Sequence, residues 1–305
     1  MVLAFFLAAS LGLFLLLIMG NPVKGAGRWV DLGPLSLQLS DPAKIILIIV
    51  LAKYFSRRHV EIAHFKHIIV SGLYALIFFV LIFLQPDLGS AIIIFLIWLG
   101  MVMVSGISKK HVLTVLALVL LSLFFLWSFV FQEYQKQRIL TFLNPLTDIR
   151  GAGYNALQSV IAVGSGQTFG KGIGFGTQSR LRFLPEYQTD FIFSAFAEEW
   201  GLMGALILFS LFGVLIWRVI TSALKGLTNF EILFGAGLAI FLISQFTINV
   251  GMNIGLLPVT GTPLPFISYG GSHLLIEFAA LGVLIGMRKY SRTFHKEEIE
   301  EKALV

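Results

Sequence analysis

Residues 184–217 read LPEYQTDFIFSAFAEEWGLMGALILFSLFGVLIW, and the rest of the chain can be understood from this stretch. Its first part is polar and ends at Asp190, whereas the part from Phe191 to Trp217 is almost entirely apolar. The apolar part is longer than the about 20 residues that a helix needs to cross a bilayer. The stretch therefore predicts a membrane helix with a carboxylate at its entrance, and with Glu198 and Glu199 about two turns inside.

The composition of the whole chain repeats this pattern. Of 305 residues, 57% are hydrophobic and 12% are charged, whereas a soluble domain carries about 25% charged residues. These values predict an all-α integral membrane protein, a polytopic helical bundle of about eight spans. The sequence contains no cysteine, so disulfides and thiolate metal sites are excluded. The net charge of +6 is spread over loops, which disfavours nucleic-acid binding.

The predicted spans are separated by polar loops, one of which is long. We predict helices at 1–20, 43–55, 68–84, 91–104, 112–131, 191–217, 232–257 and 274–287. Pro42 follows Asp41, which predicts a helix start with Asp41 near the N-cap and Pro42 at the first helical position. The loop 132–190 is far longer than the usual connection, which indicates a function. We predict a single transmembrane domain, 1–305, that contains this loop.

Basic residues in the short loops predict the orientation in the membrane. Arg57, Lys109 and Arg218 fall on one side when the spans are placed as above. The opposite side has only Lys24 and Arg28 in its short loops. Because cytoplasmic loops carry an excess of Lys and Arg, we predict that both termini are cytoplasmic and that the long loop faces outward.

Asp190 is the candidate general base on that outer face. A Thr-Asp pair at a helix start is also typical of an N-cap, and this alternative stays open. The glycine-rich run before it and the nearby cations favour catalysis, since a carboxylate in a partly dry pocket can act as a base. The run 170–176 lacks the spacing of a P-loop. It therefore indicates a tight fold or a close approach to a ligand, and no nucleotide.

Two further groups of charged residues have alternative interpretations. The first group consists of cations that could bind a phosphate or pyrophosphate: Arg28, Lys44, Lys171, Arg180 and Arg182. For each of them, contact with lipid headgroups is an equal alternative. The carboxylates of Glu198, Glu199 and Glu277 lie in membrane segments, where they predict either a transporter's proton relay or a paired structural group. We favour the structural role for at least one of the adjacent pair, because neighbouring side chains on a helix diverge by about 100°.

Short motifs are spread along nearly the whole chain. In order they are Lys24-Gly-Ala-Gly-Arg-Trp, Gln85-Pro-Asp-Leu-Gly, Arg138 with Asn144-Pro and Asp148, Gly151-Ala-Gly-Tyr-Asn, Gly174-Phe-Gly-Thr-Gln-Ser, Leu184-Pro-Glu, Thr189-Asp-Phe-Ile-Phe, Glu198-Glu-Trp-Gly and Pro263-Leu-Pro-Phe-Ile-Ser-Tyr-Gly-Gly-Ser. Together, in this order, they resemble the SEDS family of proteins for shape, elongation, division and sporulation. The Gly-Thr-Gln-Ser and Arg-Phe-Leu-Pro-Glu segments are more similar to the elongation branch than to the division branch.

The resemblance implies a peptidoglycan glycosyltransferase. Such an enzyme polymerises lipid II into glycan strands on the outer face of the bacterial cytoplasmic membrane and releases undecaprenyl pyrophosphate. The implied partner is a class B penicillin-binding protein, a transpeptidase that cross-links the product. A divalent cation, Mg²⁺ or Mn²⁺, stays an open addition, and its ligands are unknown.

The resemblance also implies positions for the site residues. The family's essential carboxylate falls on Asp190, its Arg-Trp pair on Arg28 and Trp29, and its acidic residue and lysine on Asp41 and Lys44. The predicted substrate contacts are completed by Lys171, Arg180, Arg182, Gln178, Glu186 and Ser268.

The chain departs from the family pattern in three places. It has Leu39-Ser-Asp41 where the family usually has Pro-Ser-Glu, so a shorter carboxylate must reach the same partner. Gln188, and not a histidine, precedes the Thr-Asp pair. The family has ten spans and this chain begins at the third, so the first two are expected to be absent or dispensable.

Two functions of other classes remain as alternatives. A lipid II flippase or other transporter would depend on the membrane carboxylates Glu198, Glu199 and Glu277, and not on Asp190. A scaffold that only recruits a transpeptidase would tolerate the loss of Asp190, Arg28 and Lys44 together.

Overall fold

The chain is mainly helical in the computed structural model, which describes residues 2–19, 29–31, 36–57, 65–106, 140–144 and 152–303, with isolated positions between 114 and 136. The helices are α1 Val2–Met19, α2 Ser40–Ser56, α3 Phe65–Leu84, α4 Leu88–Val104, α5 Ala152–Ser165, α6 Thr177–Arg180, α7 Ile192–Leu224, α8 Asn229–Asn253 and α9 Gly271–Ala303. The strands β1 Trp29–Asp31 and β2 Ser36–Gln38 form an antiparallel pair with Trp29 opposite Gln38.

The described helices confirm the predicted polytopic bundle. The stretches long and apolar enough to cross a membrane are Lys66–Leu84, Ile192–Leu224, Asn229–Asn253 and Gly271–Lys289. Val2–Ile18 and Leu88–Val104 are shorter apolar helices. The predicted span 112–131 lies almost wholly outside the described residues. Within the described part of the predicted long loop 132–190 lie helices α5 and α6, and residues 140–143 are helical as well.

The chain divides into two compact units, and the first comprises residues 1–107, 215–244 and 271–305. Helix α2 is its most buried element, with Leu47, Ile48 and Leu51 fully enclosed. The turn between α3 and α4 is tied to α1, because the Gln85 side chain donates to the Leu13 carbonyl at 2.7 Å. Asp87 caps α4 by accepting the Ser90 N–H at 3.1 Å.

The start of α2 differs from the sequence prediction. The helix begins at Ser40, and its N-cap residue is Leu39, which makes no side-chain cap hydrogen bond. Asp41 therefore lies inside the first turn and does not cap the helix. Pro42 is tolerated at the third helical position, because the N–H groups of a first turn have no partner within the helix.

The second unit comprises residues 108–214 and 245–270. Its core includes Phe193, Ala197, Val250 and Leu264, which brings together the first part of α7, the end of α8 and the loop after α8. In the segment preceding α7, Leu184 and Phe191 are buried in a cluster with Ala162 of α5.

Helix α7 is broken at Gly201, and a loop fills the break. Gly201 has φ 63° and ψ −162°, which no helix contains. The break separates the carbonyls of residues 198 and 199 from the N–H groups of residues 202 and 203, which would pair in an unbroken helix. Lys171 and Gly172 donate to the first set at 3.0 and 3.1 Å, and the carbonyls of residues 167 and 168 accept from the second set at 2.8 and 3.0 Å.

This close approach explains part of the glycine-rich run. A Cβ atom on Gly170 would collide with the Glu199 carbonyl, and one on Gly201 would collide with the Gly170 nitrogen. Both glycines also have positive φ, a conformation that L side chains rarely adopt. The tight-fold interpretation of the run is thus confirmed at Gly170. The segment 166–176 is called the Gly-rich loop below.

Candidate functional site

The main chain at Asp190 is held by three buried side chains. Ser268 Oγ donates to the Thr189 carbonyl at 2.7 Å. Asn249 Nδ2 and Asn253 Nδ2 donate to the Asp190 carbonyl at 3.0 and 3.1 Å. All three donors are fully enclosed, so water does not compete for them. Two consecutive carbonyls are therefore fixed in position, and with them the direction in which the Asp190 side chain leaves the backbone.

The donors are themselves held by residues 258–270, a loop after α8 with three prolines that is called the proline-rich loop below. Asn249 Nδ2 also donates to the Thr262 carbonyl at 2.7 Å. Ser268 Oγ accepts the Leu264 N–H at 2.7 Å, and the Tyr269 N–H donates to the Gln188 carbonyl at 2.8 Å. The proline-rich loop therefore acts as a frame for residues 188–190.

The Asp190 side chain is partly exposed and lies against a glycine. A Cβ atom built on Gly261 would be 3.3 Å from Asp190 Oδ2, and Gly261 has φ +74°. Helix α7 begins at Ile192, and the Phe191 carbonyl accepts the Ala195 N–H at 3.2 Å. Phe191 therefore lies between Asp190 and the first residue of the helix.

Glu198 is another carboxylate of this unit, and its surroundings are different. It is fully buried. Its Oε1 atom accepts from Lys171 Nζ at 2.7 Å and from the Thr177 N–H and Oγ1 at 2.8 and 3.0 Å. The N–H groups of Gln178 and Ser179 donate to Oε2 at 3.2 and 3.4 Å. The carboxylate thus binds the start of α6, which confirms a paired structural role for one of the two adjacent glutamates.

The other predicted contacts in this unit have mixed surroundings. Lys171 is occupied by Glu198 and by Thr177 Oγ1, to which its Nζ donates at 2.9 Å. Arg180 and Arg182 are exposed. The Glu186 carbonyl accepts the Thr189 and Phe191 N–H groups at 3.1 and 3.2 Å. Of the predicted cations of this unit, the two arginines are the ones whose side chains are exposed to a ligand.

The predicted contacts of the first unit include a buried ion pair. Lys44 Nζ lies 3.0 Å from Asp41 Oδ1, and both side chains are buried. Ser272 Oγ of α9 donates to Asp41 Oδ2 at 3.3 Å. The shorter carboxylate of Asp41 thus reaches a lysine one turn along the same helix. Trp29 lies in β1, and Arg28 is outside the described residues.

A metal site is not formed by protein side chains alone in the described part of the chain. There, no group of three or more His, Cys, Asp or Glu side chains could hold a metal ion. Mg²⁺ is commonly bound by one or two carboxylates together with substrate phosphates. The single partly exposed carboxylate of Asp190 fits that pattern only with a phosphate-bearing ligand present.

The sequence analysis did not predict two of the residues that hold the main chain at Asp190, Asn249 and Asn253, and it predicted Ser268 only as a substrate contact. The available signal was the presence of two amides one turn apart in an apolar helix, because buried polar groups need partners.

Comparison with known proteins identifies the class of this chain. The family model for the FtsW, RodA and SpoVE proteins, described as "Cell cycle protein", matches residues 1–293. The peptidoglycan glycosyltransferase MrdB of Escherichia coli K12 is 40% identical over 276 residues, which cover 90% of this chain and 74% of that protein. Stage V sporulation protein E of Bacillus subtilis is 38% identical over 300 residues, which cover 96% and 78%.

Two solved structures share the fold. A peptidoglycan synthase complex, described as coordinating polymerization and crosslinking, has a TM-score of 0.79 at 33% identity, covering 94% of this chain and 80% of that one. The rod shape determining protein RodA of Thermus thermophilus has a TM-score of 0.67 at 30% identity, covering 94% and 77%. The fold and relatives are those of multi-pass membrane enzymes of the peptidoglycan glycosyltransferase class. Within that class, the chain belongs to the FtsW/RodA/SpoVE family.

Proposed function

We propose that this chain polymerises lipid II on the outer face of the cytoplasmic membrane during cell elongation, with Asp190 as the general base. One observation carries the role of Asp190: buried donors hold the two carbonyls of residues 189 and 190, while the carboxylate remains partly exposed. A base must be positioned within hydrogen-bond reach of the proton that it removes. The rigid frame around Asp190 supplies that positioning.

In the proposed reaction, Asp190 accepts the proton of the GlcNAc 4-hydroxyl of one lipid II molecule. The hydroxyl oxygen attacks the MurNAc anomeric carbon of a second molecule, and the bond to undecaprenyl pyrophosphate breaks. This single displacement inverts the anomeric centre. The leaving pyrophosphate gains negative charge, which positioned cations stabilise.

The cations proposed for the pyrophosphate are Arg182, Lys44 and Arg28. Arg182 has the clearest support, because it is exposed and belongs to the same compact unit as Asp190. Lys44 is already paired with Asp41, so binding a phosphate there would require the pair to be shared. A divalent cation bound to the pyrophosphate would add positive charge, and no step of the proposed reaction requires it.

The proposed partner is a class B penicillin-binding protein. Support comes from the solved synthase complex, which coordinates polymerization with crosslinking. The transporter alternative is weakened at Glu198, because five donor groups already hold that carboxylate. A proton relay needs a carboxylate that can change its partners.

The test uses the purified chain with its transpeptidase partner and labelled lipid II. Wild type is compared with Asp190→Asn, and Glu231→Gln is the matched control, because Glu231 belongs to a turn at the start of α8. Polymer from wild type and the control, but not from Asp190→Asn, is the expected result. Normal glycan chains from Asp190→Asn would overturn the assignment of the base.

A further inference from the structure

The Gly-rich loop exposes large apolar side chains next to a membrane helix. Phe169, Ile173 and Phe175 are 81%, 69% and 66% exposed. Glycines at 170, 172, 174 and 176 lie between and after them, and Lys171, whose side chain is paired with Glu198, is the one other residue of this run. Large apolar side chains that remain exposed together usually mark a surface that something covers.

The loop is fixed at one level of α7. Four of its backbone hydrogen bonds are made to residues 198, 199, 202 and 203, on both sides of the break at Gly201. The loop therefore lies beside this point of the helix, whatever surrounds it.

That level of α7 is where the helix enters its lipid-facing part. Before the break, Phe193, Ser194 and Ala197 are buried in protein. After it, Leu202, Leu206 and Leu211 are 57%, 50% and 65% exposed. The sequence from Leu202 to Trp217 has no charged residue and would rise about 24 Å as a helix, which is most of the about 30 Å of a hydrocarbon core.

Polar residues of the same region match the headgroup layer. Trp200 is partly exposed at the break, and tryptophan is enriched at membrane interfaces. The charged side chains of Arg180 and Arg182 are exposed and alternate with the exposed apolar Leu181 and Phe183. Apolar and cationic side chains interleaved in this way are typical of segments that lie in the membrane interface.

We propose that the Gly-rich loop is a membrane anchor, which inserts Phe169, Ile173 and Phe175 among the lipid acyl chains beside α7. Irregular backbone that is exposed to lipid is not tolerated in the hydrocarbon region. The loop backbone therefore stays at the interface against α7, to which residues 167, 168, 171 and 172 are bonded, and only the three side chains insert. The anchor holds Arg180 and Arg182 at the level of lipid phosphates. Together with the proposed function, this gives the arginines access to the pyrophosphate of a lipid-linked substrate without its withdrawal from the bilayer.

The absence of cysteine from the chain makes the test direct. Single cysteines replace Phe169, Ile173 or Phe175 and are labelled with a nitroxide in vesicles of phosphatidylethanolamine and phosphatidylglycerol. Leu211→Cys, on the exposed apolar face of α7, is the lipid control, and Lys225→Cys, in the exposed turn after α7, is the aqueous control. Collision of each label with oxygen and with a water-soluble nickel chelate is measured.

The loop labels are expected to resemble the Leu211 label, with oxygen collisions exceeding nickel collisions several-fold. Labels that resemble the Lys225 label would overturn the proposal. Labels that are aqueous in the chain alone and become protected only when the transpeptidase is added would assign the loop to protein docking instead. The same measurement on an Asp190→Asn background is expected to be unchanged, so that failure of the anchor and failure of the proposed base are distinguishable.

Discussion

The protein holds two carboxylate residues near the start of α7 in different ways. Asp190 precedes the helix, and Glu198 lies about two turns inside it. At Asp190 the protein binds the backbone carbonyl, through Asn249 and Asn253, and the side chain is partly exposed. At Glu198 the protein binds the side chain itself and buries it completely. The frame around Asp190 positions a partly exposed residue, whereas the donors around Glu198 use its carboxylate to fix a loop.

The largest effect on activity is expected from the single variant Asp190→Asn, compared with the single variant Glu198→Gln. Asp190→Asn is expected to lower lipid II polymerisation by about 10²- to 10⁴-fold, the usual contribution of a general base, and to leave the apparent unfolding temperature unchanged. Polymerisation is measured with labelled lipid II, and unfolding by intrinsic fluorescence in detergent. An equal loss of stability in Asp190→Asn and Glu198→Gln would contradict the assignment of a catalytic role to Asp190 and a structural role to Glu198.

Glu198→Gln is expected to destabilise the protein, because Lys171 loses its charged partner. Removing one member of a buried ion pair costs about 3 to 5 kcal/mol, and the partial exposure of Lys171 places the expected loss at the lower end, about 3 kcal/mol. The apparent unfolding temperature in detergent is the readout. Combining Glu198→Gln with Lys171→Met is expected to cost less than the two single losses added together, since no unpaired charge remains. Strict additivity would argue that the pair contributes little.

Asn253→Ala is expected to lower turnover by about 10- to 100-fold with little change in KM, because a small displacement of a catalytic group can cost this much. The matched control is Gln245→Ala, which removes another buried amide of α8, one with an Oε1 atom that has no hydrogen-bond partner. A steady-state comparison of kcat and KM separates positioning from substrate binding. Equal losses in both variants would point to a general defect of α8.

The smallest effect is expected at Gly261. An alanine there meets Asp190 Oδ2 at 3.3 Å and adopts a positive φ, which costs about 1 to 2 kcal/mol in backbone strain. Gly106→Ala is the control for strain alone, because Gly106 has φ +94° and open space around it. Turnover is expected to fall several-fold in Gly261→Ala and to be unchanged in Gly106→Ala. Equal turnover in both would show that contact with Asp190 does not limit the reaction.

The fold class could be predicted because the length of an apolar stretch predicts a membrane span without any knowledge of tertiary contacts. The start of α2 could not, because Ser40 and Asp41 are buried through tertiary contacts, including the one from Ser272 far along the chain. Propensity rules place Asp41 at a cap, whereas the helix begins one residue earlier, at Ser40, and Asp41 pairs with Lys44 from within the first turn.

The candidate site was only partly predictable for the same reason. Asp190 is visible in the sequence as a carboxylate at a membrane boundary. The residues that hold it, Asn249 and Asn253, are some 60 positions away, and their role appears only when α8 packs against the start of α7. The break at Gly201 was equally hidden, because the helical pattern of residues continues through it.

The break in α7 also determines where the sequence can change in length. Residues 167–172 and 198–203 exchange four backbone hydrogen bonds in a fixed register. Inserting or deleting one residue inside either segment shifts every donor away from its acceptor. The start of α6 is fixed in register as well, because the N–H groups of Thr177, Gln178 and Ser179 bind the Glu198 carboxylate. Natural length variation is therefore expected to accumulate outside residues 167–179.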